Sequence, residues 1–95
     1  MNLIIPAIRC LKCGDLIFSR AQHDCRSCSC GLCNIDGGFH YLKICGPHDQ
    51  FQFFQLTMHE EITKQTLFDD WMKSKESTFG LYKKGKIISD IIDIN

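Results

Sequence analysis

Cys10-Leu11-Lys12-Cys13-Gly14 and, further on, Cys25-Arg26-Ser27-Cys28-Ser29-Cys30-Gly31-Leu32-Cys33 hold six of the chain's seven cysteines; the seventh is Cys45. The first segment is a metal-binding knuckle in outline. Two intervening residues let both sulfurs reach one ion, and the glycine that follows can take the left-handed conformation the turn requires. Four thiolates at such spacing favour zinc. The second half of the site stays open on spacing alone, since Cys25/Cys28, Cys28/Cys30 and Cys30/Cys33 can each complete it. Sixteen residues separate Cys13 from Cys30, which favours Cys30/Cys33 within the usual C-x2-C-x15-20-C-x2-C window.

The rest of the composition makes a metal useful. The chain has 95 residues, enough for one small domain, and its 44% hydrophobic content includes the seven cysteines. The remaining apolar side chains make a lean core, and chains of this size often need a disulfide, a metal or a partner. The start, Met1-Asn2-Leu3-Ile4-Ile5-Pro6, shows no charged signal-peptide region, and no stretch approaches the roughly 18 apolar residues of a membrane span. A protein without membrane attachment, in the cytoplasm of a bacterial cell, is expected. In that reducing setting an odd number of cysteines reads as metal ligands plus spare thiols.

Charge argues against one class of partner. Eleven Lys and Arg balance eleven Asp and Glu, and the balance holds in each half of the chain. Nucleic-acid binders usually carry a basic face, because neutralising phosphates and releasing counterions supplies most non-specific affinity. A zinc-bound four-thiolate site makes this neutral chain mildly acidic. Arg9, Lys12, Arg20 and Arg26 near the knuckles are the candidate basic patch, so a nucleic-acid-binding ribbon is the second expectation behind a protein partner. Near-zero net charge also permits homodimerisation.

The string Ile8-Arg9-Cys10-Leu11-Lys12-Cys13-Gly14-Asp15-Leu16-Ile17, with His23-Asp24, Cys28-Ser29-Cys30-Gly31, Asp36-Gly37-Gly38 and Tyr41-Leu42, resembles an uncharacterised family of small zinc-ribbon-like proteins from phages, prophages and bacteria. The resemblance covers roughly residues 8–46. It implies Cys10, Cys13, Cys28 and Cys30 as the ligands, with Gly31 after the second pair matching Gly14 after the first. Cys25, Cys33 and Ile35 depart from the family pattern, so Cys25 or Cys33 in place of Cys28 or Cys30 is the alternative. The context of the resemblance implies a modulator or inhibitor of a bacterial host protein, in defence or transcription.

Outward from the knuckles, Leu16–Phe18 reads as a strand, and residues 32–35 with 39–44 read as a hairpin turning at Asp36-Gly37-Gly38. Phe51–Leu56 reads as a further strand. Thr57 with Glu60 reads as a capping box for a helix that runs to about Ser74, with Met58, Ile62, Gln65, Phe68, Trp71 and Met72 at helical spacing. Phe79–Tyr82, a turn around Lys84-Gly85 and the run from Ile87 to Ile94 read as a closing hairpin. The predicted class is α+β: an N-terminal four-cysteine zinc ribbon (antiparallel β) over residues 1–46, and a 47–95 extension of strand, amphipathic helix and C-terminal β-hairpin sharing its core.

One structural zinc is the expected cofactor, because four cysteine ligands leave no open position for catalytic water. His23, His40, His48 and His59 form no recognisable catalytic arrangement, and the chain is expected to be no enzyme. Phe68, Trp71 and Met72 are the candidate partner-binding residues, since Trp and Met are frequent interface anchors. The competing expectation is that they are the core contact of the helix. Phe51, Phe53 and Phe54 are likewise expected in the core.

Overall fold

The computed structural model describes residues 2–84, 86 and 88–95. Strand β1 (Ile4–Cys10) is the organising element, and its alternation explains the layers. Ile5 and Ala7 point to one face and Ile8 and Cys10 to the other, and all four are fully buried. A strand buried on both faces must have something packed against each.

β1 pairs along its whole length with β6 (Phe51–Met58), antiparallel, from Ile4 opposite Thr57 to Cys10 opposite Phe51. On its other side lies β2 (Leu16–Ile17), followed by β7 (Leu81–Tyr82), while β8 (Ile91–Ile94) pairs with β6 at the far edge. The resulting five-stranded order is β7-β2-β1-β6-β8. A second sheet, β3 (Arg26–Ser27), β4 (Asn34–Asp36) and β5 (Lys43–Cys45), is also antiparallel. The expected hairpin thus forms, with Gly37 and Gly38 both at positive φ, but its loop extends to Leu42. Gly38 has a structural need to lack a side chain: a Cβ there would lie 2.7 Å from the backbone of Ala21.

Each face of the larger sheet has its own core. Ile5, Ala7, Leu16, Phe18, Leu56, Met58 and Tyr82 pack with Leu67 of helix α1 (Lys64–Lys73). Ile8, Cys10 and Ile17 pack on the opposite face with Cys28, Cys33 and Ile35. Among the described residues the architecture is mixed α and β, with antiparallel sheets and one α-helix of ten residues. Among the described residues, no helix is long and apolar enough to cross a membrane.

Three local expectations need correction. The helix does not begin at a Thr57/Glu60 capping box, because β6 continues through Met58 to bury Leu56 and Met58 beside Ile5. It begins instead at Thr63, whose side chain accepts from the Thr66 amide while the Thr66 hydroxyl accepts from the Thr63 amide. Phe79–Tyr82 and the isoleucine run do not form a hairpin with one another: β7 and β8 lie on opposite edges of the sheet. The expected turn residue Gly85 and the start of that run at Ile87 lie outside the described residues. Phe53 is 47% exposed and does not enter the core: it lies opposite Ile8 in register but is not among the residues packed in the second core.

Candidate metal centre

The Sγ atoms of Cys10, Cys13, Cys28 and Cys30 all lie within 4.8 Å of one another. Cys10 closes β1, and the chain turns back at once: the Gly14 amide donates to the Cys10 carbonyl at 2.8 Å, and the Cys10 amide donates to the Asp15 carbonyl at 2.9 Å. Gly14 takes φ +79°, as the knuckle requires. The second pair sits in a tighter turn after β3, where the Gly31 amide donates to the Cys28 carbonyl at 3.0 Å and Gly31 has φ +76°. Both turns thus end in a glycine at positive φ, but the first closes over four residues and the second over three.

The distances suit a tetrahedral ion. Zinc–sulfur bonds of about 2.3 Å at tetrahedral angles put neighbouring sulfurs about 3.8 Å apart. Cys30 Sγ lies 3.6 Å from Cys10 Sγ and 3.5 Å from Cys28 Sγ. The donor set is four soft thiols, which fits a thiophilic metal. Cys33, the alternative ligand by spacing, belongs to the second core instead. Its side chain is fully buried, its amide donates to Cys28 Sγ at 3.4 Å, and its Sγ is directed at the Gln50 carbonyl at 3.8 Å. Cys25 and Cys45 are exposed and outside the cluster. His23, which falls between the knuckles in sequence, occupies an exposed turn at φ 73°.

The electrostatics of the thiols follow from their surroundings. Burial pushes the Cys10 thiol up, but the backbone amides of Cys13 and Lys12 directed at its sulfur outweigh this, and its pKa falls below the ordinary thiol value. At Cys30 the Leu32 amide acts in the same direction, yet desolvation and the crowding of Cys28, Cys10 and Cys13 prevail and push the thiol up to about 12. Crowded thiols without a cation resist a second ionisation; a divalent ion removes that penalty by supplying the missing charge.

An acidic residue joins the two knuckles. Asp15, immediately after the first glycine, is buried, and its Oδ2 accepts from the Ser29 amide between Cys28 and Cys30 at 2.7 Å. Burial raises its pKa, but the hydrogen bonds from Ser29 more than offset this and hold the carboxyl below its usual range. The sequence contained this residue in its CGD string without indicating its job. What a single chain could not disclose is that the partner amide comes from the other knuckle.

A second polar group lies between the 19–26 turn and α1. The Arg20 side chain is wholly buried; its Nε donates to Asp24 Oδ2 at 2.8 Å, and Nη1 pairs with Asp70 of α1. Arg20 also donates to the carbonyls of Ser74 at 3.2 Å and Lys75 at 3.4 Å. Arg26 donates from Nη1 to the Ser77 carbonyl at 2.6 Å and from Nε to Asp24 at 3.4 Å. Two of the four residues considered as a basic patch are thus internal struts that hold the end of α1 to the 19–26 turn.

The helix meets the core through one fully buried residue, Leu67, which the sequence reading had not singled out. Phe68 is 45% and Met72 57% exposed, and Trp71 is half-buried. The expectation that this stripe is the helix's core contact therefore fails for Phe68 and Met72. The physical reason is that α1 packs on the sheet through Leu67, which leaves Phe68 and Met72 on its outward side. Met58, first assigned to the same stripe, is a core residue of β6, and Ile62 packs against the core from the segment before the helix.

Comparison with curated proteins and with solved structures returned no match. Residues 2–46 match the model of a domain of unknown function (DUF7695), a span that contains both knuckles together with Asp15, Arg20 and Asp24, so it is the N-terminal part of the chain, with the whole cysteine cluster, that is similar to this family.

Proposed function

We propose that the chain is a small zinc-ribbon module without enzymatic activity, in which one zinc held by Cys10, Cys13, Cys28 and Cys30 secures the fold and the surface of α1 recognises another protein. The observation that carries this reading is the pairing of a four-thiol cluster with an aromatic stripe left uncovered by the molecule's own core. Zinc bound to four thiolates keeps no position for water and acts as a staple. Such an ion contributes on the order of 10 kcal/mol to folding, comparable with the whole stability of a small domain. Phe68, Trp71 and Met72 are the residue types that anchor protein interfaces, and they sit together on one flank of the helix.

The resemblance to phage and prophage proteins supports a bacterial host protein as the target, with modulation or inhibition of a defence or transcription component as the outcome. The test is affinity capture from bacterial lysate with the tagged, zinc-loaded chain, with and without nuclease, beside a Phe68→Ser/Met72→Ser variant. A stoichiometric protein that survives nuclease and is lost with the variant is the expected result. Recovery of nuclease-sensitive material alone would replace this reading with the nucleic-acid one.

A further inference from the structure

We infer that the flank of α1 bearing Phe68 receives an acidic, apolar peptide segment of its partner, held by an apolar centre and by a carboxylate at each end. This rests on the protein-binding reading above and specifies the chemistry of the ligand.

Successive helical residues are turned by about 100°, so Lys64, Phe68, Trp71 and Met72 share one flank of α1. The Phe68 and Trp71 rings meet edge to face with centroids 6.0 Å apart. Lysines stand at both ends of this pair. Lys64 Nζ lies 4.9 Å from the centroid of Phe39, and Lys75 Nζ lies 5.5 Å from that of Trp71. Neither forms a salt bridge with a carboxylate among the described residues. Of the helix's own carboxylates, Asp70 binds the buried Arg20, and the exposed Asp69 accepts from Gln65 Nε2 at 2.8 Å.

The flank also has depth. A groove of about 490 Å³ separates Lys64, Gln65 and Phe68 on the helix from Ala21, Phe39 and His40 on the facing loops. The helix ends at Lys73 and the chain leaves it in extended form at Ser74, so Lys75 meets the Trp71 ring from the turn that follows. The surface thus presents an aromatic floor with a cation at each end, and charge complementarity calls for a short apolar run bracketed by Asp or Glu. A basic or neutral segment leaves both lysines without the partner their position offers.

The experiment is selection from a displayed library of random dodecapeptides on the zinc-loaded full chain. Enriched peptides are then titrated while fluorescence is read from Trp71, the protein's single tryptophan. The expected peptides carry an apolar run flanked by acidic residues. Their dissociation constants rise at least tenfold with Lys64→Glu/Lys75→Glu and with Phe68→Ser, both variants keeping wild-type circular dichroism and zinc content. The charge-reversed variant is expected to bind the same peptides once their acids are changed to lysine. Enriched peptides that lack acids, or that bind the charge-reversed variant unchanged while losing affinity to Phe68→Ser, overturn the acidic assignment but leave the docking face standing. Binding indifferent to Phe68→Ser, or no enrichment at all, overturns the docking face as well.

Discussion

Replacing Arg20 by methionine tests whether a buried ion network ties α1 to the half of the chain that carries the cysteine cluster. The substitution keeps a long apolar stem and removes the guanidinium. It deletes the donors to Asp24, to Asp70 and to the carbonyls of Ser74 and Lys75, leaving Asp24 buried with its backbone contact from residue 20 and the 3.4 Å contact to Arg26. Removing one partner of a buried charge pair costs about 3–5 kcal/mol, because the other charge remains uncompensated. Small domains have total stabilities of about 5–15 kcal/mol, so the loss is a large fraction of the whole. The assay is urea unfolding of the zinc-loaded protein at neutral pH, with Asp70→Asn and the double variant completing a cycle. Because both single variants break the same link, their costs should add to more than that of the double variant. A loss below about 1 kcal/mol for Arg20→Met would show that the network is water-accessible and contributes no more than a surface pair, and that Arg20 does not hold α1 to the 19–26 turn.

Further outcomes follow from the same structure. Cys13→Ser is expected to abolish stoichiometric zinc binding and unfold the chain, whereas Cys33→Ser is expected to retain one zinc per chain by metal analysis; the reverse pattern would move the ligand set to Cys33. Leu67→Ala should cost about 2–5 kcal/mol by creating a cavity in the first core, while Met72→Ala on the exposed flank should stay within about 0.5 kcal/mol, both read by thermal or urea unfolding. At Asp24, burial opposes ionisation, but hydrogen bonds from Arg20 and the charge of Arg26 prevail and hold its pKa below the ordinary carboxylate value. Its stabilising contribution is therefore complete above the unfolded value near 3.9 and is lost as pH falls through the lower folded value. The stability gap between wild type and Asp24→Asn should be widest near neutrality and shrink as the pH drops below about 4; a gap independent of pH would mean that Asp24 is not charged in the folded state.

Arg20 and Phe68 show where legibility stopped. Arg20 reads in sequence as a surface cation near a knuckle, since nothing local to it signals burial; its carboxylate partners are four and fifty residues away. Phe68 reads as core by helical spacing, and only the true helix start at Thr63 and the inward turn of Leu67 leave it outside. The same long-range pairing explains the closing segments, which found opposite sheet edges because β2 and β6 offered them complementary strands.

The sequence by itself determined a thiol-rich cluster built on Cys10 and Cys13 with three candidate second pairs, the turn glycines of each knuckle, the existence of a helix before Ser74, though begun too early at Thr57, and the strands that follow Gly14 and flank Gly37; it carried no sign of β1, the strand that organises the sheet. The legible features depend on short spacings and local backbone preferences, which a linear string carries in full. Only the tertiary structure decided that Cys28 and not Cys33 completes the cluster with Cys30, that Asp15 binds the second knuckle, that Arg20 and Arg26 are internal, and which side of α1 faces outward. Each of those depends on which distant residue lies opposite, and that is set by strand register and by competition for burial across the whole chain rather than by any neighbour in sequence.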